Sequence, residues 1–256
     1  MNPAMISTSH PIFARLYPRM SQAMDQGGIA GHRQALLAGL AGEVIEIGAG
    51  DGKNFPRYPP AVTSVHAVEP EPRLRRLAQA AAAKAPVRIE VTDARAERLP
   101  WPDASLDAAV FTFTLCTIAD PGHALREAFR VLKPGGQLRF LEHVRADTPG
   151  LIRVQRLLEG SIWPTLFAGC HLSRDTATEI EHAGFTIDQI DRFLFPEQRT
   201  PVSFHIRGTA HRSLHSPAQR HGLAAIAAAD GMRFPSGGNG EPQVRVHSDG
   251  AGMGFL

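Results

Sequence analysis

The chain is poor in cysteine. Cys116 and Cys170 are the only two in 256 residues, far apart and without neighbours at metal-ligand spacing. That argues against a disulfide scaffold and a Cys-type zinc site, and it makes a reducing compartment, the cytoplasm, the expected location. Long apolar runs are missing too. None reaches the ~18 residues that a membrane-spanning helix requires. The opening stretch, MNPAMISTSHPIFARLYPRM, lacks the apolar core of a signal peptide. No spanning segment is expected, while peripheral membrane contact stays open. Neither sign of charge is in excess: 27 Lys and Arg against 25 Asp and Glu leave a net charge of +2. A dedicated nucleic-acid binder usually shows a concentrated basic face, so no nucleic-acid partner is expected. The histidines, His205 and His211 among them, have no metal spacing, and no metal is expected.

What is present fits an ordinary soluble globule, with 43% hydrophobic and 20% charged residues. The length allows one large domain or two small ones. Residues 29–40 have helical spacing, with Leu36, Leu37 and Leu40 on one side, after a short helix or loop carrying Phe13 and Tyr17. From residue 43 the pattern changes. EVIEIG (43–48), SVHAVEP (64–70), VRIEV (87–91), LDAAVFTFT (106–114) and QLRFLEH (137–143) read as strands. Between them, residues 72–83 and 121–132 read as helices, each opened by proline. KPGG (133–136) stops the second. Strands alternating with helices predict an α/β fold: a Rossmann-like, mostly parallel sheet with helices on both faces. Residues 151–167 are helix-like, and Ser173 is placed to cap a further helix to Ala183. Residues 185–193 and 202–210 alternate as an antiparallel hairpin that ends the sheet. The segment 212–256 holds eight glycines and three prolines and reads as a loop-rich or disordered tail. The expected organisation is a helical cap over 1–42, a catalytic domain over 43–211 and that tail.

Three motifs carry chemistry. EIGAGDG, residues 46–52, follows the first strand. Gly48, Gly50 and Gly52 allow positive φ and let a ligand press against the backbone, at the carboxyl end of the sheet where open α/β folds bind ligands. Glu69 ends the second strand, close to the ~20 residues beyond the glycine loop at which a carboxylate meets a bound ribose. Its two oxygens suit vicinal hydroxyls. Asp93 and Ala94, after the third strand, offer an acceptor and an N–H to an adenine ring. Trp101, between Pro100 and Pro102, is either a ring contact or a packing residue. Thr114, Leu115 and Cys116 follow the fourth strand, over the reactive part of the ligand.

Together these pieces resemble the class I S-adenosylmethionine-dependent methyltransferases. The match runs from about residue 43 to 141 and rests on E-I-G-A-G-D-G, V-E-P at 68–70, D-A-x-x-x-x-L-P at 93–100 and L-K-P-G-G at 132–136. The resemblance implies a seven-stranded sheet and S-adenosylmethionine as cofactor. By motif, Glu46, Gly48, Ala49, Gly50 and Gly52 would embrace its methionine part, Glu69 its ribose, and Asp93 and Ala94 its adenine, with Pro70 also in the cofactor site. A narrower resemblance covers F-x-F-T-L-C-T-I, F-L-E-H-V at 140–144 and L-F-A-G-C-H-L-S-R-D at 166–175. It is to the methyltransferase-like family that includes membrane-associated animal thiol S-methyltransferases, and it extends to about Ala210. The animal members carry an apolar N-terminal anchor, which this sequence does not show.

The implied reaction moves a methyl group to a small, fairly apolar acceptor, with sulfur first among the acceptor atoms and oxygen or nitrogen next. A thiol with a pKa of ~8.5 needs little help from a base, and a phenol at ~10 gains more. His143 and Glu142, at the end of the fifth strand, are the candidate base and its orienting carboxylate; a hydrogen-bonded loop histidine is the competing reading. Tyr17 and Phe55 are candidates to face a sulfonium. Trp163, Phe167, Cys170 and His171 fall in an insertion, about 148–172, expected to roof the acceptor pocket. Two rivals remain. An NAD-dependent oxidoreductase usually has G-x-G-x-x-G, whereas Gly48, Gly50 and Gly52 give G-x-G-x-G. A non-catalytic S-adenosylmethionine-binding module would keep the same loop.

Overall fold

The computed structural model describes residues 11–213. All but the first two residues of the expected tail lie outside that range. Seven strands, β1 (Gly42–Ile47), β2 (Val62–Val68), β3 (Arg88–Thr92), β4 (Leu106–Thr112), β5 (Leu132–His143), β6 (Phe185–Leu194) and β7 (Phe204–Arg212), form one sheet. Their order is β3-β2-β1-β4-β5-β7-β6. The first five pair in parallel, and β7 runs antiparallel between β5 and β6. The order reverses between β1 and β4. A topological switch there opens a crevice at the carboxyl ends of these strands.

β1 shows how the sheet divides the core. Val44 is buried in a cluster with Leu36, Leu37, Phe55 and Ala78. Its neighbours Ile45 and Ile47 are buried in a second cluster with Leu125, Ala128 and Ile180. Alternating side chains of a strand point to opposite faces, so both faces are dry and need helices. α2 (Ala30–Leu37) and α3 (Pro72–Ala82) cover the first face; α4 (Pro121–Val131) and α7 (Thr176–His182) cover the second. Prolines 72 and 121 open α3 and α4. Glu71 and Asp120 cap them, accepting the Leu74 and His123 N–H groups at 2.7 and 2.8 Å.

The elements depart from expectation at six places. Phe13 and Tyr17 sit in a full helix, α1 (Pro11–Met24), joined to α2 by a π-helical turn in which Gly28 has φ 125°. β4 stops at Thr112, because Phe113 adopts φ 55°. The 133–136 turn lies within β5 as an irregularity: Leu132 pairs with Leu106, and Gln137 already pairs with Ala108. The helix expected over 151–167 is two, α5 (Pro149–Glu159) and α6 (Trp163–Leu166), broken after Gly160. Finally, Asp175 rather than Ser173 caps α7, while Ser173 binds Glu159 through its N–H and its hydroxyl. The hairpin also closes two residues later than expected. Arg212 ends β7, and its guanidinium donates to the Phe129, Arg130 and Leu132 carbonyls.

Candidate active site

A cavity of about 220 Å³ opens at the switch point. The end of β1 supplies Ile47, Gly48 and Gly50; the end of β2 supplies Val68, Glu69 and Pro70. Beyond β4 come Phe113, Thr114 and Thr117, and α1 closes one wall with Phe13 and Tyr17. Glycine is required at two of these positions. A Cβ on Gly48 would stand 2.4 Å from Thr114, and one on Gly50 would stand 3.0 Å from the Tyr17 ring. Both residues have positive φ, 78° and 59°. Gly52 does not line the cavity; a side chain there would strike Ala81 and Phe55, both at 2.8 Å.

Glu69 is 6% exposed. Its two oxygens accept the Gly50 N–H at 2.8 Å and the Glu71 N–H at 2.9 Å. Burial nevertheless dominates and pushes its carboxyl up to about 7, against these two bonds. Tyr17 is driven upward by burial and stays a neutral phenol. Near it, the Ser21 hydroxyl donates to Asp51 Oδ2 at 2.8 Å, and the buried Asp51 Oδ1 has no partner.

Glu46, the first residue of the glycine motif, is buried and does not line the cavity. It accepts the Tyr58 hydroxyl at 2.6 Å and Asn54 Nδ2 at 2.9 Å. Burial raises it to about 7 despite both bonds. Asn54 also accepts Arg33 Nη1 at 3.1 Å, and Arg33 pairs with Asp25 at 2.9 Å. A buried polar chain thus runs from the α1–α2 turn to the glycine loop. Sequence pattern offered no sign of it, because its members are scattered singly.

Other expected site residues fall outside the cavity. Ala49 is buried in the core, and Phe55 is wholly buried in the same cluster; neither lines the cavity. Leu115 is fully buried. Asp93 is two-thirds exposed and pairs with Arg75 at 3.0 Å; Ala94 packs on the core. Arg95, Ala96 and Glu97 line the wall instead, two residues further on. Trp101 packs on the core and lies beside His66. Trp163 stacks on Phe167 at 4.0 Å. Neither lines the cavity, nor does His171, but Ala168 of the same segment does.

Glu142 and His143 stand behind the cavity wall. Glu142 Oε1 accepts the N–H groups of Thr114 and Leu115 at 3.0 and 3.1 Å, and Oε2 accepts that of Cys116 at 3.2 Å. Both oxygens are therefore committed to shaping the loop after β4. No hydrogen bond joins Glu142 to His143, whose two buried ring nitrogens lack partners. The His143 ring lies edge-on to His205 at 5.2 Å. His205 donates from Nδ1 to the Ser203 carbonyl at 2.9 Å and is pushed down to about 3 by burial, so it is neutral.

Strand order, glycine cradle and buried carboxylate define a class I S-adenosylmethionine-dependent methyltransferase. A methyltransferase-domain model matches residues 45–140. The fold is shared with a methyltransferase from Thermotoga maritima, at a TM-score of 0.58 and 23% identity over 79% of this chain and 99% of that one. Within the class, the chain belongs to the family of the thiol S-methyltransferases. It is 37% identical over 180 residues to thiol S-methyltransferase TMT1B of Rattus norvegicus, spanning 68% of this chain and 73% of that protein. Similarity to the ubiquinone/menaquinone biosynthesis C-methyltransferase UbiE of Methylobacterium nodulans is shorter: 36% over 109 residues, 43% of this chain and 41% of that one. Membership in this family sets aside the NAD-dependent oxidoreductase and the non-catalytic binding module.

The residues present suit the methyl donor. A glycine cradle that side chains would fill lies beside a carboxylate with two oxygens at the cavity edge. Among the described residues, no group of three or more potential metal ligands occurs, and no helix is long and apolar enough to cross a membrane.

Proposed function

We propose that the enzyme transfers the methyl group of S-adenosylmethionine to the sulfur of a small, fairly apolar thiol. When bound, the donor supplies a methyl group already activated on a sulfonium. Gly48 and Gly50 would hold its methionine part, Glu69 its ribose, and the wall from Arg95 to Glu97 its adenine. Asp93 keeps Arg75 on one oxygen and has the other to offer the adenine. Tyr17 and Phe13 cover the site and exclude water.

One observation carries the choice of sulfur. The carboxylates of the cavity, Glu69, Glu71 and Glu97, lie along the ends of β2 and β3. The opposite end, with Phe113, Thr117, Ile118, Ala119 and Ala168, has no titratable side chain. We assign that end to the acceptor. An acceptor there must reach its nucleophilic form unaided, which a thiol does near neutrality by ionising, while a phenol stays mostly un-ionised and an aliphatic amine mostly protonated. The rat relative, a thiol S-methyltransferase, supports the same choice. The chain's residues then mainly align sulfur and methyl group in line, and orientation of this kind supplies about 7–11 kcal/mol in favourable cases.

The test is a panel of thiols, phenols and amines of matched size, incubated with labelled donor and read by mass spectrometry. Thiols should be methylated, with rates that follow thiolate fraction. Faster methylation of phenols or amines than of any thiol would overturn the assignment.

A further inference from the structure

Methyl transfer makes no use of the two cysteines, yet the fold brings them together. Cys116 lies in the loop after β4 that Glu142 holds, and Cys170 lies two residues beyond the cavity residue Ala168. The His171 N–H donates to the Cys116 carbonyl at 2.8 Å. Arg174 also donates to the Leu115 carbonyl. Such a backbone bond holds segments about as close as neighbouring strands, ~5 Å. A disulfide spans Cα separations of about 4.4–6.8 Å. The two side chains are near enough that each is the largest influence on the other's ionisation.

Their surroundings are unequal. Cys116 is 3% exposed, whereas Cys170 is only partly buried. Three buried nitrogens close by, both of the His143 ring and Trp163 Nε1, have no hydrogen-bond partner. The Cys116 thiol first, then His143 and Trp163, bias Cys170 toward the thiolate against burial. The neighbouring Cys170 first, then burial, hold Cys116 as a thiol, and the Glu142 carboxylate adds to both. A reachable thiolate beside a protected thiol is the layout of an attacking and a resolving cysteine.

We propose that Cys170 and Cys116 form a thiol–disulfide exchange site for small-molecule disulfides, and that closing their bond arrests methyl transfer. The Cys170 thiolate attacks one sulfur of the disulfide. That S–S bond breaks, and the far sulfur leaves as a thiolate with the electron pair. Cys116 then gives its proton to solvent and attacks Cys170 Sγ, expelling the second thiolate. The small disulfide is reduced to two thiols, and the cysteine pair is oxidised to a disulfide. A small dithiol reductant reverses both steps. The new bond ties the segment after α6 to the β4 loop, next to Thr117 and Ala168 on the cavity wall. The exchange needs no methyl donor, so it stands apart from the acceptor assignment.

The full chain, free of donor, is treated with hydroxyethyl disulfide and examined by intact mass and peptide mapping. Wild type should lose the mass of two hydrogen atoms and yield a Cys116–Cys170 linked peptide. Methyl transfer should fall at least tenfold and return with dithiothreitol. Cys116→Ser should instead stop at a mixed disulfide on Cys170. A wild-type protein that stays fully reduced, or that accumulates the mixed disulfide, overturns the proposal. So does a linked protein with unchanged transfer. Should Cys116→Ser not fold, Cys116→Ala serves, and the wild-type map alone decides the linkage.

Discussion

At the residue scale, Glu69 bears most of the donor-site argument. Its oxygens already satisfy two backbone N–H groups, so a ribose diol must share or displace them. The isosteric Glu69→Gln keeps the volume and removes the charge. Hydrogen bonds to charged groups contribute about 1.5–3 kcal/mol, so donor affinity should fall at least tenfold, as measured by calorimetry on folded protein. Unchanged affinity would remove Glu69 from the donor site. Gly50→Val acts differently. A β-branched residue would be strained at φ 59° and would press on the Tyr17 ring. Donor binding should be lost along with some stability, and both should be visible in one thermal-shift series with and without donor.

At the scale of elements, the segment from α5 to the start of α7 is the part most separable from donor binding. Only Ala168 of it reaches the cavity, and Ala168 sits at φ 50° just after the stacked pair Trp163 and Phe167. Trp163→Ala removes the stack and loosens that turn. The acceptor KM should rise several-fold while donor affinity stays within twofold; a matching fall in donor affinity would mean the segment supports the whole cavity. The strands, the glycine loop and Glu69 were legible because period-two burial and strand-end glycines are local signals. The break after Gly160 was not, since apolar spacing continues through it. Nor was the role of Glu142 legible, because a carboxylate beside a histidine looks the same in sequence whether it orients the ring or clamps a loop 26 to 28 residues away. Asp93 had the right position along the chain. Arg75, one turn into α3, draws it outward, and that pairing is long-range. The same holds for Asp25, Arg33 and Asn54. Removing the Asp25 carboxylate with Asp25→Ala leaves Arg33 buried without its ion pair, which typically costs about 3–5 kcal/mol. Denaturant unfolding should show a loss of that order, and a loss below ~1 kcal/mol would mean water reaches Arg33.

At the scale of the whole molecule, three glutamates share one electrostatic fate. Glu46 and Glu142 sit near the carboxyl ends of β1 and β5 and Glu69 directly follows β2, and burial raises each from the ordinary 4.5 to about 7. A raised carboxyl keeps its proton in the folded chain after the unfolded chain has released it. Between about pH 4.5 and 7 the folded state therefore holds more protons, and stability must fall as pH rises through that window. Their contribution is complete below the unfolded value and gone above about 7. Donor binding has the opposite slope, because a ribose diol needs Glu69 as the carboxylate. The melting temperature of the donor-free enzyme should decline from about pH 5 to 8, while donor affinity climbs through about pH 7. Saturating S-adenosylmethionine should flatten the decline, since ligand stabilisation grows with affinity. Glu69→Gln separates the two effects. It should abolish the pH dependence of donor affinity and remove part of the slope in stability, leaving the part that belongs to Glu46 and Glu142. A donor-free melting temperature that rises across the window would mean these carboxylates ionise at their ordinary values, and that the loops around them open to water far more than their burial implies.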